Sequence, residues 1–267
     1  MKILEKGTYH GVNIDKLAFN GLVISHNQYP VNSTFNWHSH ENPHFTFILR
    51  GKSVEKRKNS TIHCLPGTLL FYPPHEPHCN EKYQHGCKSL SLEIEEHWLK
   101  KYDLEIRDIG GGSVVDLAIV KANFSRLVME LKLNDPYSKL NIEGLLLQSI
   151  ATIKRKDTSS GKRPFWIEQV KEVLHEHLVD TPSLTEIGKI VNIHPVTISK
   201  EFPKYFHCTI GDYIRNLRIE KSMSLLGRKS LALDDIAFQC GFYDTSHFTK
   251  VFRKNTGLTP TQYRGFL

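Results

Sequence analysis

Four histidines in the first third of the chain have residue types and spacing that suit ligand chemistry. His38 and His40 are two residues apart, His44 follows them, and His78 comes later in the sequence. Imidazole nitrogens are common transition-metal ligands, so His38, His40 and His78, with His44 as a fourth ligand, form a candidate site for Zn, Fe, Ni or Cu. Together with Trp37, the same side chains form a candidate pocket for an organic molecule.

Short apolar segments separated by Gly, Pro and Asn surround these histidines. Between about residues 14 and 94 they include LVIS, HFTFILRG, TLLFYPP and LSLEI. Many short strands at close spacing predict a β-barrel or sandwich. Side chains at positions i and i+2 of a strand lie on one face, so His38 and His40 are expected on the same side of the sheet.

The last hundred residues contain an internal repeat, with similar residues recurring roughly 50 positions apart. The matching pairs include Leu184 with Leu233, Ile187 with Ile236, Gly188 with Ala237, Val191 with Cys240, Ile198 with Phe248, Phe202 with Phe252 and Tyr213 with Tyr263. This repeat predicts two structural units of the same kind.

Each copy has the residue order of a helix-turn-helix. Ser183 and Glu186 form a capping box at the start of the first helix. The turn needs a positive φ, which Asn192 tolerates in the first copy and Gly241 adopts freely in the second. Asp244 suits the N-cap of the second helix in the second copy. Both copies therefore predict a second helix with one exposed face.

The exposed faces of these second helices carry side chains that can contact DNA. A recognition helix reads base edges in the major groove, whereas contacts farther along it go to phosphates. The predicted base-reading faces consist of Val196, Thr197, Ser199 and Lys200 in the first copy, and Ser246, His247, Thr249 and Lys250 in the second. The predicted phosphate contacts are Lys204, Arg253, Lys254 and Arg264. A net charge of +7 favours the same partner, double-stranded DNA, although only weakly.

The segment LDDIAFQCGFYDTSHFTKVFRKNTGLTPTQYR closely resembles the signature of AraC/XylS-type regulators, and SLTEIGKIVNIHPVTISKEFPKYF resembles their first helix-turn-helix. The resemblance covers residues 164–267. It implies sequence-specific DNA binding, contact with RNA polymerase, and base reading by Val196, Ser199, Lys200, Ser246, His247 and Lys250. Pro203 inside the first recognition helix and His207, opposite Gly257 of the second copy, depart from the pattern.

The N-terminal histidines lie in segments that resemble the two cupin motifs. His38, His40 and Gly51 fall on the first motif, with His44 in its usual Glu position, and Gly67, Pro73 and His78 fall on the second. Cupin-like barrels are the usual sensor domain of AraC-type regulators. The resemblance therefore implies an effector bound in the N-terminal half, either a small organic molecule or a divalent transition metal, and no cofactor is certain.

Two other functions compete with this interpretation. A metal-dependent dioxygenase or isomerase would use the same three histidines, although a sensor fused to a DNA-binding half needs only to bind its ligand. A purely structural DNA-bending protein would need no effector, but the aromatic residues near the histidines favour a cavity. The sequence therefore favours a regulator without enzymatic activity.

The fold class is predicted as α+β with several domains. The divisions are 1–112 for a cupin-like barrel, 113–154 for a helical segment, 155–163 for a linker, and 164–267 for an all-α domain with two helix-turn-helix motifs. In the helical segment, Leu117, Val120, Phe124, Leu127, Val128 and Leu131 recur at helical spacing. These helices either pack on the barrel or pair with a second protomer, and the AraC-type resemblance favours a homodimer.

Cysteine content and apolar patterning bear on the cellular compartment. The five cysteines are scattered without CxxC spacing, which favours a reduced cytoplasmic location. The N-terminal residues lack the apolar stretch of a signal peptide, and no apolar run approaches the length of a membrane span. No membrane partner is expected.

Overall fold

The computed structural model describes residues 1–110, 114–158, 164–206 and 208–266. Strands dominate the first hundred residues and helices the remainder, in agreement with the predicted α+β class. Among the described helices, none combines the length and the apolar character that a membrane crossing needs.

Eight strands form one curled sheet of mixed direction. Its strand order is β1-β4-β8-β3-β2, with β5 also pairing with β6, β7 and β8. Only β1 and β4 pair in parallel; the other pairs that the structure describes are antiparallel. The strands are β1 (Lys2–Leu4), β2 (Val12–Phe19), β3 (Leu22–Gln28), β4 (Phe35–His40), β5 (His44–Arg57), β6 (Ser60–Cys64), β7 (Leu69–Tyr72) and β8 (His78–Ile94).

The long strand β5 is buried on both faces at its start, where aromatic residues alternate with His44 and Thr46. Phe45 and Phe47 point to one side, where their ring centroids lie 5.0 and 6.3 Å from that of Phe124. His44 and Thr46 alternate with them and line a cavity on the other side. The sheet thus separates a helix-covered apolar layer from a polar interior.

Three helices and a 3₁₀ turn follow the sheet: α1 (Glu96–Lys101), the turn Ile106–Asp108, α2 (Ala118–Leu133) and α3 (Ser138–Thr158). The residues predicted to form the apolar stripe of α2 are buried. The sequence places the end of the helical segment at residue 154, but α3 continues to Thr158, so the first four positions of the predicted linker are helical. The rest of that linker, 159–163, lies outside the described residues.

The C-terminal half is helical, as the repeat predicts. Its helices are α4 (Phe165–Glu176), α5 (Leu184–Val191), α6 (Pro195–Phe206), α7 (Ile210–Leu226), α8 (Leu233–Gln239), α9 (Thr245–Thr256) and α10 (Pro260–Phe266). α5 with α6 and α8 with α9 form the two helix-turn-helix units, and the long α7 joins them. Pro203 is accommodated in the last turn of α6, which continues to Phe206.

The two units are buried in different apolar cores. The first unit has its own cluster, which includes Ile187, Ile198 and Phe202. In the second unit, Phe248 belongs to the same cluster as Phe124 and the apolar face of β5. Among the described residues, the second unit therefore shares its core with the N-terminal domain.

Polar contacts join the N-terminal domain to the same side of the C-terminal half. The Lys121 Nζ of α2 lies 3.0 Å from Glu220 Oε1 of α7 and 3.1 Å from Asp116 Oδ1. Arg126, one turn farther along α2, donates a hydrogen bond of 3.1 Å to the carbonyl oxygen of Lys254 at the end of α9. Helix α2 thus lies between the sheet and the second helix-turn-helix.

Candidate nucleic-acid interface and ligand site

Side-chain caps fix the start of α5 in the first unit and of α9 in the second. Glu186 N donates to Ser183 Oγ at 3.3 Å, and Ser183 N donates to Glu186 Oε2 at 2.8 Å, which forms the predicted capping box. In the second unit, His247 N donates to Asp244 Oδ1 at 2.6 Å at the start of α9. The turn residue Asn192 has a φ of 53° and Gly241 a φ of 79°, as the repeat predicts.

Close helix approach in the first unit depends on Gly188. A Cβ atom at this position would lie 2.7 Å from the carbonyl oxygen of Ile193 and 3.2 Å from the ring of Pro195. These distances are shorter than van der Waals contact, so the residue at this position cannot be larger without backbone movement. Gly188 therefore sets how closely α6 packs against α5.

The residues predicted to read bases lie on the outer faces of α6 and α9. Ile198 and Phe248 point inwards and are fully buried. The side chains that are exposed are Val196, Thr197, Ser199 and Lys200 on α6, and Ser246, His247 and Lys250 on α9, whereas Thr249 is half-buried. Each helix therefore presents the polar face that the sequence predicts.

An open groove of about 760 Å³ follows the outer face of α9. It is lined by Thr245, Ser246, Thr249, Lys250, Arg253, Lys254 and Thr259. Thr245 and Thr259 were not among the predicted contacts. Tyr243, just before the N-cap Asp244, has a side chain that is 94% exposed, so it lies on the surface beside the start of α9.

The predicted phosphate contacts differ in availability. Arg253 and Lys254 are exposed, whereas Lys204 pairs with Glu201 at 2.6 Å on the surface of α6. Arg264 is half-buried and its Nη2 donates to the carbonyl oxygen of Leu231 at 2.9 Å. Arg264 therefore supports the loop before α8, and its contact with phosphate stays a prediction. His207 lies outside the described residues.

The predicted histidine cluster comes together inside the curled sheet. Ligand atoms of His38, His40 and His78 all lie within 4.8 Å of one another, and all three side chains are buried. His44 lies beside His40, with ring centroids 4.3 Å apart, but is not part of that set of three. The cavity that these residues line has a volume of about 30 Å³, which is room for an ion or a water molecule.

The histidines are held as neutral imidazoles. Burial, together with the neighbouring histidines, lowers the pKa of His78 to about 2 and that of His40 to about 3. His38 Nδ1 lies 2.8 Å from the carbonyl oxygen of Asn36, and His78 Nδ1 lies 3.0 Å from that of Glu76. A neutral ring that donates through Nδ1 keeps a lone pair on Nε2, which is the form that binds metal.

Two protein families match this chain. The helix-turn-helix domain family matches residues 187–265, and the AraC-like ligand binding domain family matches residues 20–150. The first range contains both recognition helices and the second contains the histidine cluster. The chain belongs to the AraC family of transcriptional regulators. It joins an N-terminal ligand-binding domain to an AraC-type DNA-binding domain.

Its relatives are transcriptional regulators. GbdR of Pseudomonas aeruginosa is 29% identical over 98 residues, which is 37% of this chain but only 27% of GbdR. YobQ of Bacillus subtilis is 23% identical over 86% of this chain and 90% of its own length. The transcriptional activator RhaR of Cronobacter sakazakii is 25% identical over 91% of this chain and 90% of its own length.

Solved structures of the Vibrio cholerae protein ToxT align with most of this AraC-family chain. One is 16% identical, with a TM-score of 0.40, over 93% of this chain and 99% of ToxT. Another, bound to unsaturated fatty acid, is 14% identical, with a TM-score of 0.38, over 96% and 97% of the two chains.

The ligand-binding domain of this AraC-family protein contains site residues that sequence reasoning missed. Tyr9 and His10 come from the segment after β1 and line the histidine cavity. The His10 ring stacks on Phe35 at 4.7 Å and meets His38 edge-on at 4.4 Å. Burial lowers the pKa of His10 to about 4, helped by His38. The parallel pairing of β1 with β4 helps to bring this segment to the site, and no sequence signal predicts that pairing.

A buried ion pair orients the wall of the cavity. Arg57 Nε lies 2.6 Å from Glu55 Oε1, and both side chains are buried. The Tyr72 hydroxyl donates a short hydrogen bond to Glu55, and the Tyr72 ring stacks on His44 at 4.3 Å. Glu55 and Arg57 lie in a run of charged residues, which is typical of a solvent-exposed strand. The sequence therefore does not predict that they are buried.

One predicted pocket residue lies elsewhere. Trp37 is 45% exposed and does not line the cavity. It lies between His38 and Asn36 on β4, and successive side chains of a strand point to opposite faces. The two histidines occupy the inner face, so Trp37 points outwards.

Proposed function

We propose that this protein is an effector-responsive transcription regulator that inserts α6 and α9 into successive major grooves of one DNA duplex. The observation that carries this proposal is the pair of helices with inward apolar faces and exposed polar faces, repeated within one chain. Two recognition helices on one body read grooves about one helical turn apart, roughly 34 Å.

In this proposal Val196, Thr197, Ser199 and Lys200 read one half-site, and Ser246, His247, Thr249 and Lys250 read the other. The proposed phosphate contacts are Lys204, Arg253, Lys254 and Arg264. The division into a barrel (1–112), a helical segment (113–154), a linker (155–163) and a DNA-binding domain (164–267) belongs to the same proposal.

Footprinting on a site selected from random DNA tests this arrangement. We expect two protected segments about one helical turn apart. Ser199→Ala/Lys200→Ala should remove base discrimination in one segment, and Ser246→Ala/Lys250→Ala should remove it in the other. A single protected segment that both double variants affect equally would contradict the proposal.

The proposed effector site is the histidine cluster, with a transition metal held by His38, His40 and His78. The residues fit such an ion, because three buried nitrogen ligands converge and two of the rings are oriented by backbone carbonyls. His40 Nδ1 is buried without a hydrogen-bond partner among the described residues. Bound metal would supply a fixed positive charge that draws the three rings together.

Elemental analysis of the purified protein tests the metal. Near one equivalent is expected in the native chain and much less in His38→Ala/His40→Ala. The exposed pair His63→Ala/His97→Ala, which removes two histidines outside the cavity, serves as the control and should keep its metal. No metal in the native chain would instead favour an organic effector, for which the cavity would have to widen.

The remaining parts of the proposal concern partners. Leu133, Tyr137 and Leu140 are exposed near the turn between α2 and α3, which supports a homodimer formed by this surface. Membership of the AraC family supports two further proposals. The protein contacts RNA polymerase, and it is located in the cytoplasm together with its DNA. A protein that senses a ligand needs no catalysis, so we propose that it is not an enzyme.

A further inference from the structure

A groove of about 420 Å³ separates the N-terminal domain from the C-terminal half, and it shares no lining residue with the histidine cavity or with the α9 groove. One wall comes from the sheet and the other from the end of α7. The lining residues used below are Arg50, Lys52, Leu65 and Pro66 on the first wall, and Gly227 and Arg228 on the second. The two walls meet closely, because a Cβ atom at Gly227 would lie 3.6 Å from Arg50 Cγ.

Positive charge is concentrated at this groove. Arg50 on β5 and Lys88 on β8 are directly opposite each other in the sheet. Burial lowers the pKa of Lys88, and the charges of Arg50 and Lys229 lower it further. Like charges in cross-strand positions destabilise a sheet. Arg50, Lys52 and Arg228 line the groove, so both domains contribute cationic groups to it, and none of its described lining residues is acidic.

We propose that this groove is a binding site for a small molecule that carries two or more phosphate groups. Guanidinium groups such as those of Arg50 and Arg228 form paired hydrogen bonds with phosphate oxygens. The volume is within the range of small-molecule sites, and Leu65 and Pro66 provide an apolar surface for an organic portion. A DNA duplex is too wide to enter a groove of this size.

The position of the groove gives such a ligand a regulatory role. A phosphate held by Lys52 of the sheet and Arg228 after α7 connects the two domains directly. A ligand that contacts both domains stabilises the arrangement in which its contacts are made. Binding is therefore expected to change the affinity for DNA, independently of any ligand in the histidine cavity.

Isothermal titration of the full chain with sodium tripolyphosphate, at constant ionic strength, tests the site. We expect saturable binding of one equivalent per chain. Arg228→Gln/Lys52→Gln removes two exposed cations from the walls and should weaken binding at least about tenfold, since two charge-assisted hydrogen bonds are lost. Lys100→Gln/Lys139→Gln removes two exposed lysines that do not line the groove, and this control should bind like the native chain.

Three results would overturn the proposal. The first is the absence of saturable binding. The second is equal weakening in the groove variant and the control, which would show that tripolyphosphate responds only to net charge. The third is a groove variant that binds tripolyphosphate normally but loses affinity for random-sequence DNA. The slope of log affinity against log salt concentration would then fall by about two, and the groove would be a contact for the DNA backbone.

Discussion

Lys250 and Lys254 are one helical turn apart on α9 and share one groove, yet they are proposed to act differently. Lys250 lies on the face proposed to read bases, and Lys254 lies near the end of the helix, where phosphate contacts are proposed. We expect Lys250→Ala to weaken binding to the selected site more than binding to random DNA. Lys254→Ala should weaken binding to both DNAs and lower the slope of log affinity against log salt concentration by about one. Titrations at several salt concentrations with both DNAs measure this, and equal effects of the two variants would contradict the assignment.

At the residue scale, sequence reasoning succeeded where a residue's role depends on its near neighbours. The capping pair Ser183 and Glu186 and the turn residue Asn192 were predicted correctly, because these contacts are local. It was wrong for Trp37, which points away from the cavity, and it did not predict the hydrogen bond of Arg264 to the distant Leu231 carbonyl. Charge alone does not show whether an arginine faces DNA or a backbone carbonyl.

Gly188 and Gly144 provide an element-scale test of the first helix-turn-helix. Gly188→Ala should cost roughly 1–3 kcal/mol in the free energy of unfolding, because the new methyl group meets the Ile193 carbonyl. Gly144→Ala is the matched control, since a Cβ atom there meets nothing within 4 Å, and it should stabilise α3 by up to about 1 kcal/mol. Chemical denaturation followed by circular dichroism measures both changes. A neutral Gly188→Ala variant would show that helix packing here tolerates a larger residue.

At the element scale, the sequence predicts the presence of the helices and of most strands. It predicts where they end and how they pair less well. The period of the apolar residues identified α2 and the repeat identified α5 to α9, because one side of each helix must be buried. The end of α3 was placed too early, since KRKDT lacks apolar residues and its polarity suggests a loop. The register of β1 against β4 was not predictable, because a three-residue edge strand leaves little pattern.

The division of the apolar core predicts unequal coupling across the whole molecule. Ile198→Ala, in the cluster that belongs to the first helix-turn-helix, should cost about 2–5 kcal/mol and lower amide-exchange protection in α5 and α6 only. Phe248→Ala, in the shared cluster, should cost about 3–5 kcal/mol and also lower protection in β5 and α2. Hydrogen exchange with mass spectrometry distinguishes the two patterns. Unchanged protection of β5 in Phe248→Ala would argue against a shared core.

The shared core also bears on how such regulators can be recombined. A gene fusion that joins residues 164–267 to a foreign sensor would keep both helix-turn-helix units intact in sequence. It would nevertheless expose the apolar sides of α7 and α9 that now lie against α2 and β5. Such a chimera is expected to aggregate unless the new sensor brings its own covering helix. The domain boundary that the sequence places at residue 164 is therefore not a point at which the two halves can be exchanged independently.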